Sequence, residues 1–298
     1  IHGLYGAMVA AMVAALWGSC PYVNTGPSNS ASLLTAAVML SYIESENHLK
    51  MVFLFTLMVG IIRLVMGLVR MGTLIHFVPE SAFLGFTMGV GSMIALGRLH
   101  DLMGIRESGY RWFPAATVDH LTRIGESSFH SLAVSLLALV IMFGLNQYAK
   151  RFPIALFAIA IGVLYGNFIP GNDLVLVKDL FSITTGLPSY VSPFFSGWLE
   201  TLPDLAPGAL AVAVVGLIEA VSIGQSLSVR HREKINFNQE FFGQGLSMGV
   251  SSFFQGIPGS GSFSRSLLLE ESGARTFLAN VVFGLATALF LLTLPGLI

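Results

Sequence analysis

The sequence predicts an all-α polytopic membrane protein, and three observations support this fold class. Apolar residues make up 54% of the 298 residues, charged residues make up 10%, and the mean hydropathy is +0.77, whereas a soluble domain usually carries about 25% charged residues. Roughly ten apolar segments come near the length of about 20 residues that a membrane span needs. Two stretches rich in glycine, serine and proline interrupt this pattern, as half-helices at the midplane of a transporter do.

Composition also argues against several classes of protein. The net charge is −1, without a basic arm or an acidic tail, and no nucleic-acid partner is predicted. Cys20 is the only cysteine, so an intrachain disulfide is impossible. The seven histidines have no metal-ligand spacing, and no P-loop supports ATP as an energy source. We therefore predict no metal site and no cofactor.

The first interruption follows an apolar, small-residue-rich segment, residues 3–17, which is typical of a helix packed closely in a bilayer. Residues 19–30 contain two prolines and end in a cluster of helix-capping side chains, Ser28, Asn29 and Ser30. A short apolar segment, residues 31–40, comes directly after this cluster. We predict that a half-helix begins here.

The second interruption, residues 256–266, is the stretch around which the rest of the chain is organised. Its backbone would need protein or a water-filled cavity around it, because an unpaired N–H or C=O group in hydrocarbon costs several kcal/mol. Ser260, Ser262 and Ser264 can cap a helix that begins here, and a helix N-terminus favours anions. Arg265 adds a full positive charge, either as a substrate ligand or as the structural partner of an acid. We predict half of an anion-binding site here.

Each interruption taken alone could be an ordinary turn outside the membrane. Both share the same order of features, in which glycine, serine and proline are followed by capping residues and a short helix. A pair of interrupted segments in corresponding halves indicates a transporter's midplane site. This pairing favours two half-helices over two turns.

The remaining apolar segments cover residues 51–69, 81–96, 132–148, 154–166, 208–228, 241–254 and 276–294. Two longer polar segments separate them, residues 98–130 and 167–207. Lysine and arginine in the short loops define a cytoplasmic side by the positive-inside rule. The segment 167–205 is then expected on the extracellular side.

Glu219 lies in the middle of an apolar span, where a carboxylate costs about 2.5–3.5 kcal/mol on insertion scales. Such acids usually mark ion or proton pathways, and burial favours the protonated form. Ser222 follows three residues later on the same helical face. We predict that these two residues couple a cation to transport; the structural alternative is a glutamate paired with an arginine or with backbone. Arg63, in span 51–69, receives no role.

Four stretches resemble the SulP anion permeases, which include sulfate and bicarbonate transporters and the animal solute-carrier anion exchangers. They are GLY at 3–5 with GPS at 26–28 and SLL at 32–34; PES at 79–81 with GFTMG at 85–89; VGLIEAVSI at 215–223; and NQE at 238–240 with GQGL at 243–246, SGSFSRS at 260–266 and GART at 273–276. The resemblance runs across nearly the whole chain.

The resemblance implies a seven-plus-seven inverted repeat of fourteen helices, divided into core and gate domains. The chain would correspond to helices two to eleven of this transmembrane domain. It would be a fragment incomplete at both ends, without the first helix, the last three helices and the C-terminal STAS domain. Residues 1–69 and 206–298 correspond to core parts, 81–166 to a gate part and 167–205 to an extracellular segment.

The resemblance also assigns the site. The substrate anion would lie between the N-termini of the two half-helices, contacted by Ser28, Asn29, Ser30, Ser262, Phe263, Ser264 and Arg265. Glu219 matches the acid that is associated with cation coupling in symporting members of the family.

The function implied is secondary active transport of inorganic anions, with sulfate as the first candidate. Transport would be coupled to protons and would use elevator-like alternating access. The protein is not expected to be an enzyme. Bicarbonate or dicarboxylate symport, sodium coupling, exchange and a channel-like mode are alternatives. A non-transporting anion sensor is a rival from another class. The partners expected are a small inorganic anion, a proton or sodium ion, and the lipid bilayer. The full-length protein is expected to be a multi-pass homodimer in the plasma (inner) membrane.

Overall fold

The computed structural model shows a mostly helical chain that divides into two compact units. One unit comprises Ile1–Leu84 and Thr184–Pro295, and the other comprises Gly85–Ile183 and Gly296–Ile298. The structure describes residues 1–73, 81, 85, 88–89, 92, 95–105, 113–148, 154–168, 174 and 186–293.

The helices and strands are, in chain order, α1 (His2–Trp17), β1 (Thr25–Gly26), α2 (Asn29–Met39), α3 (His48–Leu68), α4 (Leu99–Met103), α5 (Phe113–Thr122), α6 (Phe129–Tyr148), α7 (Ile154–Phe168), α8 (Trp198–His231), α9 (Phe237–Phe253), β2 (Ser260–Gly261), α10 (Phe263–Glu271) and α11 (Leu278–Thr293). Two short 3-10 turns, Leu40–Tyr42 and Ile124–Glu126, follow α2 and α5. The predicted all-α class is confirmed, since the only strands in the described part of the chain are two residues long.

Two of the described helices, α3 and α8, are long and apolar enough to cross a membrane. Four shorter apolar helical stretches accompany them: His2–Trp17, Phe129–Gly144, Phe157–Gly166 and Leu278–Thr293. The apolar segments predicted at these places are therefore confirmed as helices. Most of the predicted span 81–96 lies outside the described residues.

Helix α8 begins earlier than the sequence predicts. It starts at Trp198, within the range 167–207 that is predicted as a polar segment, and it contains Pro203 and Pro207. Trp198, Leu202 and Leu205 follow helical spacing and belong to one apolar core cluster with residues of α3. Burial of this apolar face explains why the helix extends across two prolines and the acid between them, Asp204.

Helices α3 and α9 pack against each other more extensively than any other pair in the described chain, and glycines make their close approach possible. A Cβ on Gly60 would lie 2.5 Å from the backbone N of Gly249 and 2.9 Å from the backbone O of Gly245. A Cβ on Gly245 would meet the backbone N of Leu64 and lie 2.8 Å from the O of Gly60. Small residues in this role are typical of helix contacts in membranes.

We expect Gly245→Ala to lower the melting temperature of the protein, whereas Gly249→Ala should leave it unchanged. The first methyl group would overlap backbone atoms of α3, and overpacking of this kind costs about 1–3 kcal/mol. The second would meet nothing within 4 Å. Thermal unfolding of the two purified variants in the same detergent makes the comparison. Equal melting temperatures would show that α3 can move away from α9 at no cost.

Helix α1 places the first interruption against the rest of its unit. It packs on α9 and on α11. Its Gly18 end lies so near α9 that a Cβ on Gly243 would be 2.6 Å from the backbone N of Gly18. Tyr5 and Met8 form an apolar cluster with Leu291 of α11. The first interruption therefore follows a helix that α9 and α11 hold in place.

In the other unit, α6 packs on α7, and α4 packs on α6. His130 Nδ1 and the Tyr165 hydroxyl lie 3.0 Å apart across α6 and α7. The predicted polar segment 98–130 contains the two short helices α4 and α5. An exposed ion pair between Arg123 and Glu126, with a shortest N–O distance of 2.7 Å, follows α5. The assignment of residues 81–166 to a gate stays a prediction.

Candidate functional site

The two interrupted stretches pair with each other. Strand β1 runs antiparallel to β2, with Thr25 opposite Gly261 and Gly26 opposite Ser260. The backbone N of Ser262 donates to the O of Asn24 at 2.9 Å, which extends the contact. A Cβ on Gly259 would meet the backbone O of Gly26, so glycine permits this approach. This part of the irregular backbone thus finds its hydrogen-bond partners within the protein, as lipid surroundings demand.

A short helix begins directly after each strand. Ser28 is the N-cap of α2, and its Oγ accepts a hydrogen bond from the backbone N of Ala31 at 3.4 Å. Ser262 is the N-cap of α10, but its side chain makes no capping bond and lies 3.5 Å from the Ser264 hydroxyl. The two predicted helix starts are confirmed. The side-chain capping predicted for the second is wrong, since Ser262 makes no capping bond and the Ser260 hydroxyl donates to Glu219 instead.

Glu219 joins the two interruptions. It lies within α8 and is only 9% exposed. Its Oε2 accepts a hydrogen bond from the Ser28 hydroxyl at 3.1 Å and another from the Ser260 hydroxyl. Its Oε1 accepts from the Ser30 hydroxyl. One carboxyl group therefore receives hydroxyl donors from the start of α2 and from β2, so the site contains an acceptor that belongs to the protein.

Arg265, in the first turn of α10, turns back toward the first interruption. Its Nε donates to Asn24 Oδ1 at 2.7 Å, and its Nη1 donates to the backbone O of Pro27 at 3.0 Å. Nη2 is buried and has no hydrogen-bond partner among the described residues. Asn24 in turn donates to Asn280 of α11 at 2.8 Å. Part of the guanidinium holds the fold, and Nη2 is a buried donor without a hydrogen-bond partner in the described chain.

The other predicted site residues lie around this centre. The Ser222 hydroxyl donates to the backbone O of Ile218 at 2.7 Å, which satisfies it within α8. Phe263 packs against the apolar cluster that contains Cys20 and Tyr22. Asn29 and Ser264 are exposed. Within the described chain, the structure therefore brings Ser28, Ser30 and Glu219 together, while the substrate contacts of the whole predicted set stay a prediction.

Arg63 of α3 belongs to the same region, although no role was predicted for it. Its side chain is 0% exposed. It donates to the backbone oxygens of Val212 at 3.0 Å, Ala213 at 3.2 Å and Gly259 at 2.6 Å. The position of Arg63 within an apolar span could have indicated a role, since an arginine inside the membrane is usually functional.

Two further residues of α9 support the first interruption. Glu240 accepts from the backbone N–H groups of Ser19 at 2.8 Å and Cys20 at 3.0 Å. Gln244 Nε2 donates to Glu240 Oε1 at 3.1 Å and to Thr25 Oγ1 at 2.6 Å. Helix α9 therefore fixes the chain that leads from α1 into β1.

The chemistry of this arrangement suits an oxyanion and a proton. Hydroxyl groups, a free guanidinium nitrogen and the N-terminus of an 11-residue helix all favour negative charge. The carboxylate among them can gain or lose a proton. The unit that carries this site is the one formed by Ile1–Leu84 and Thr184–Pro295.

Comparison with known proteins identifies the family. The Sulfate permease family matches residues 1–298, the whole chain. The chain belongs to this family. Members of the family are integral membrane transporters, which confirms the predicted resemblance and the membrane assignment.

Individual members are distant relatives of this chain. Sulfate transporter 4.1, chloroplastic, of Arabidopsis thaliana is 28% identical over 304 residues, covering 99% of this chain and 44% of that protein. Bicarbonate transporter BicA of Synechocystis is 25% identical over 284 residues, covering 94% of this chain and 49% of that protein. The chain thus spans about half the length of these curated relatives.

A solved structure shares the fold. The transmembrane domain of a cyanobacterium bicarbonate transporter BicA superposes with a TM-score of 0.74 at 24% identity, covering 99% of this chain and 76% of that chain. This similarity concerns the fold alone. The seven-plus-seven inverted repeat stays a prediction.

Proposed function

We propose that the full-length protein is a secondary active transporter of inorganic anions, with sulfate as the first candidate and a proton as the coupling ion. The observation that carries the proposal is the Glu219 carboxylate, held by hydroxyl groups of Ser28, Ser30 and Ser260 where the two interruptions meet. These hydroxyl groups bind an anion that belongs to the protein, and an external oxyanion needs the same kind of donor.

Protonation of Glu219 provides a mechanism for coupling. An ionised carboxylate is a strong acceptor and keeps the serine hydroxyls engaged. A protonated carboxyl group carries no charge and accepts more weakly, so it releases donors to an incoming anion. Arg265 Nη2 adds a cationic donor without a described partner. Proton and anion would then bind together, because the proton neutralises the carboxylate that repels the anion, and the bound anion favours a neutral carboxyl group beside it.

The proposed substrate rests on the hydrogen-bond donors of the site and on the similarity of the chain to known transporters. Sulfate and bicarbonate are both small oxyanions that hydroxyl and guanidinium donors can bind. Relatives of this chain are named as transporters of either one. Dicarboxylate symport, sodium coupling and anion exchange are alternatives that use the same site.

Alternating access is proposed to use the two compact units. The unit formed by Ile1–Leu84 and Thr184–Pro295 carries every described site residue and would act as the core. The other unit would contribute the gate, against which the core moves in an elevator-like manner. A homodimer in the plasma (inner) membrane is proposed for the full-length protein by resemblance to its family.

The proposal is tested by uptake of radiolabelled sulfate into proteoliposomes that contain the full-length protein. We expect an inward proton gradient to stimulate uptake, and excess unlabelled bicarbonate to leave it unchanged. Bicarbonate flux without sulfate uptake would indicate that the substrate is bicarbonate and that the proposed site still applies. Absence of any anion flux, together with anion-dependent stabilisation of the purified protein, would favour a sensor over a transporter.

A further inference from the structure

Arg63 is the largest fully buried side chain among the described residues. A buried charge is normally paired with an opposite charge or fully hydrogen-bonded. Within the part of the chain that the structure describes, no carboxylate lies within salt-bridge distance of this guanidinium. Its hydrogen-bond partners are backbone oxygens, which carry no full charge. The burial of this cation in the core of the unit therefore needs an explanation.

The hydrogen bonds of Arg63 connect three elements. Nε and Nη2 donate to adjacent oxygens of α8, those of Ala213 and Val212, and Nη1 donates to Gly259, the residue before β2. Because Arg63 itself lies on α3, the guanidinium fixes the second interruption to α8. Ser260 comes directly after Gly259 and donates to Glu219.

Gly216 shows that this arrangement is built into α8. A Cβ at this position would meet Arg63 Nη2, would lie 2.9 Å from Arg63 Cζ and would be 3.0 Å from the Cβ of Ser260. Gly216 lies one helical turn before Glu219, on the same face. The guanidinium, Ser260 and Glu219 therefore share one side of α8, and a glycine opens the space for them.

The charges around Glu219 are few. Arg63 of α3 lies on the same side of α8 as Glu219, beyond salt-bridge distance and next to Ser260. Arg265 of α10 is held by Asn24 and Pro27. Glu240 of α9 is bonded to Ser19, Cys20 and Gln244. The other charged groups of these packing helices lie at helix ends: His48, Lys50, Glu270 and Glu271. In the described chain, α2 and both strands contribute none.

We propose that Arg63 is a positioning residue with two separable roles: its hydrogen bonds hold the Gly259–Ser260 segment against α8, and its charge balances the ionised carboxylate of Glu219. The first role places the Ser260 hydroxyl beside Glu219. The second stabilises the ionised form of Glu219, so it sets the pH at which this residue takes a proton. The effect of the charge role on transport rests on the proposed function. Both roles affect the stability of the fold whether or not that function is correct.

A double-mutant cycle on thermal unfolding tests the charge role without any transport measurement. The variants are Arg63→Met, Glu219→Gln and the two changes combined, in the full-length protein. Arg63→Met leaves a buried carboxylate uncompensated, which strongly destabilises proteins. We expect the double variant to melt about 5 °C or more above the value that the two single shifts predict by addition. Additive shifts would overturn the charge role.

The cycle gives an answer even if Arg63→Met does not fold. Recovery of folded protein when Glu219→Gln is added would support the charge role, and continued loss would contradict it. Arg63→Lys separates the two roles, because lysine keeps the charge but cannot make the same three hydrogen bonds. Arg123→Met, at the exposed pair with Glu126, is the matched control and should leave the melting temperature unchanged.

The pH profile of sulfate uptake tests the same charge in the proposed function. The proposed charge role predicts that loss of the positive charge disfavours the ionised carboxylate of Glu219. We expect the pH of half-maximal uptake to rise by about one unit or more in Arg63→Met and to stay in place in Arg63→Lys. Equal midpoints in all three proteins would overturn the charge role even if sulfate is transported. If no protein takes up an anion but the unfolding cycle shows coupling, the proposed function fails and the role of Arg63 stands.

Discussion

Replacing Glu219 by glutamine is expected to abolish the stimulation of sulfate uptake by a proton gradient. Glutamine has nearly the shape of a protonated glutamate and can still accept the hydroxyl of Ser28 or Ser30. It cannot bind or release a proton, so the gradient has no group through which to act. We expect gradient-driven uptake to fall at least tenfold, about 1.4 kcal/mol or more, while exchange of sulfate for sulfate across the membrane continues.

The measurement is radiolabelled sulfate uptake by full-length protein in proteoliposomes, with and without the gradient. Glu200→Gln is the matched control, because Glu200 is an exposed acid in the first turn of the same helix. Gradient-driven uptake that survives Glu219→Gln unchanged would remove the coupling role from this residue. Loss of both gradient-driven uptake and exchange would indicate that the carboxylate is needed for binding.

Gly259→Ala is expected to have the second large effect, on the site and on stability together. The added methyl group would meet the backbone O of Gly26 and lie 2.7 Å from the backbone N of Pro27. Backbone atoms cannot turn away as a side chain can, so β1 and β2 must separate. Separation would withdraw Ser260 from Glu219 and break the bond between Arg63 and Gly259. We expect a destabilisation of about 1–3 kcal/mol and a loss of sulfate uptake of more than tenfold.

Gly3→Ala provides the control for this substitution. The same methyl group at Gly3 would make only ordinary contacts, 3.8 Å from Ile257 and 4.0 Å from Pro27. Uptake and thermal unfolding should match those of the unchanged protein. If Gly259→Ala behaved like Gly3→Ala in both measurements, the close pairing of the two strands would not be required for the site.

The half-helices could be predicted because their signals are local. Ser28 and Ser262 both lie at the N-caps of short helices, and the residues before them are glycines and prolines that break helices. Glu219 could be recognised from its neighbours in sequence, since a single acid in an apolar span is conspicuous. The substrate-binding roles of the residues at the helix starts remain predictions, although Ser28 and Ser30 do lie beside Glu219.

The contacts between the interruptions could not be predicted, for physical reasons. Strands β1 and β2 have two residues each, too few for an alternating pattern to be detected. Arg63 bonds to backbone oxygens 149, 150 and 196 residues away. Every residue carries such an oxygen, so no side-chain pattern marks the partners. Trp198 was missed for a related reason: its helical role depends on burial against α3, which outweighs the prolines that follow.

The pairing of the two interruptions has a consequence for the order of folding. Asn24 and Ser266 form a hydrogen bond across 242 residues of chain, and closing so long a loop has an entropic cost that only later contacts can repay. Helices α1 and α3 can form as soon as they are made, because their hydrogen bonds are local. The site cannot exist until α10 has been synthesised. We therefore expect nascent chains that end before residue 260 to contain formed helices but no bonded partner for Glu219 in the second interruption.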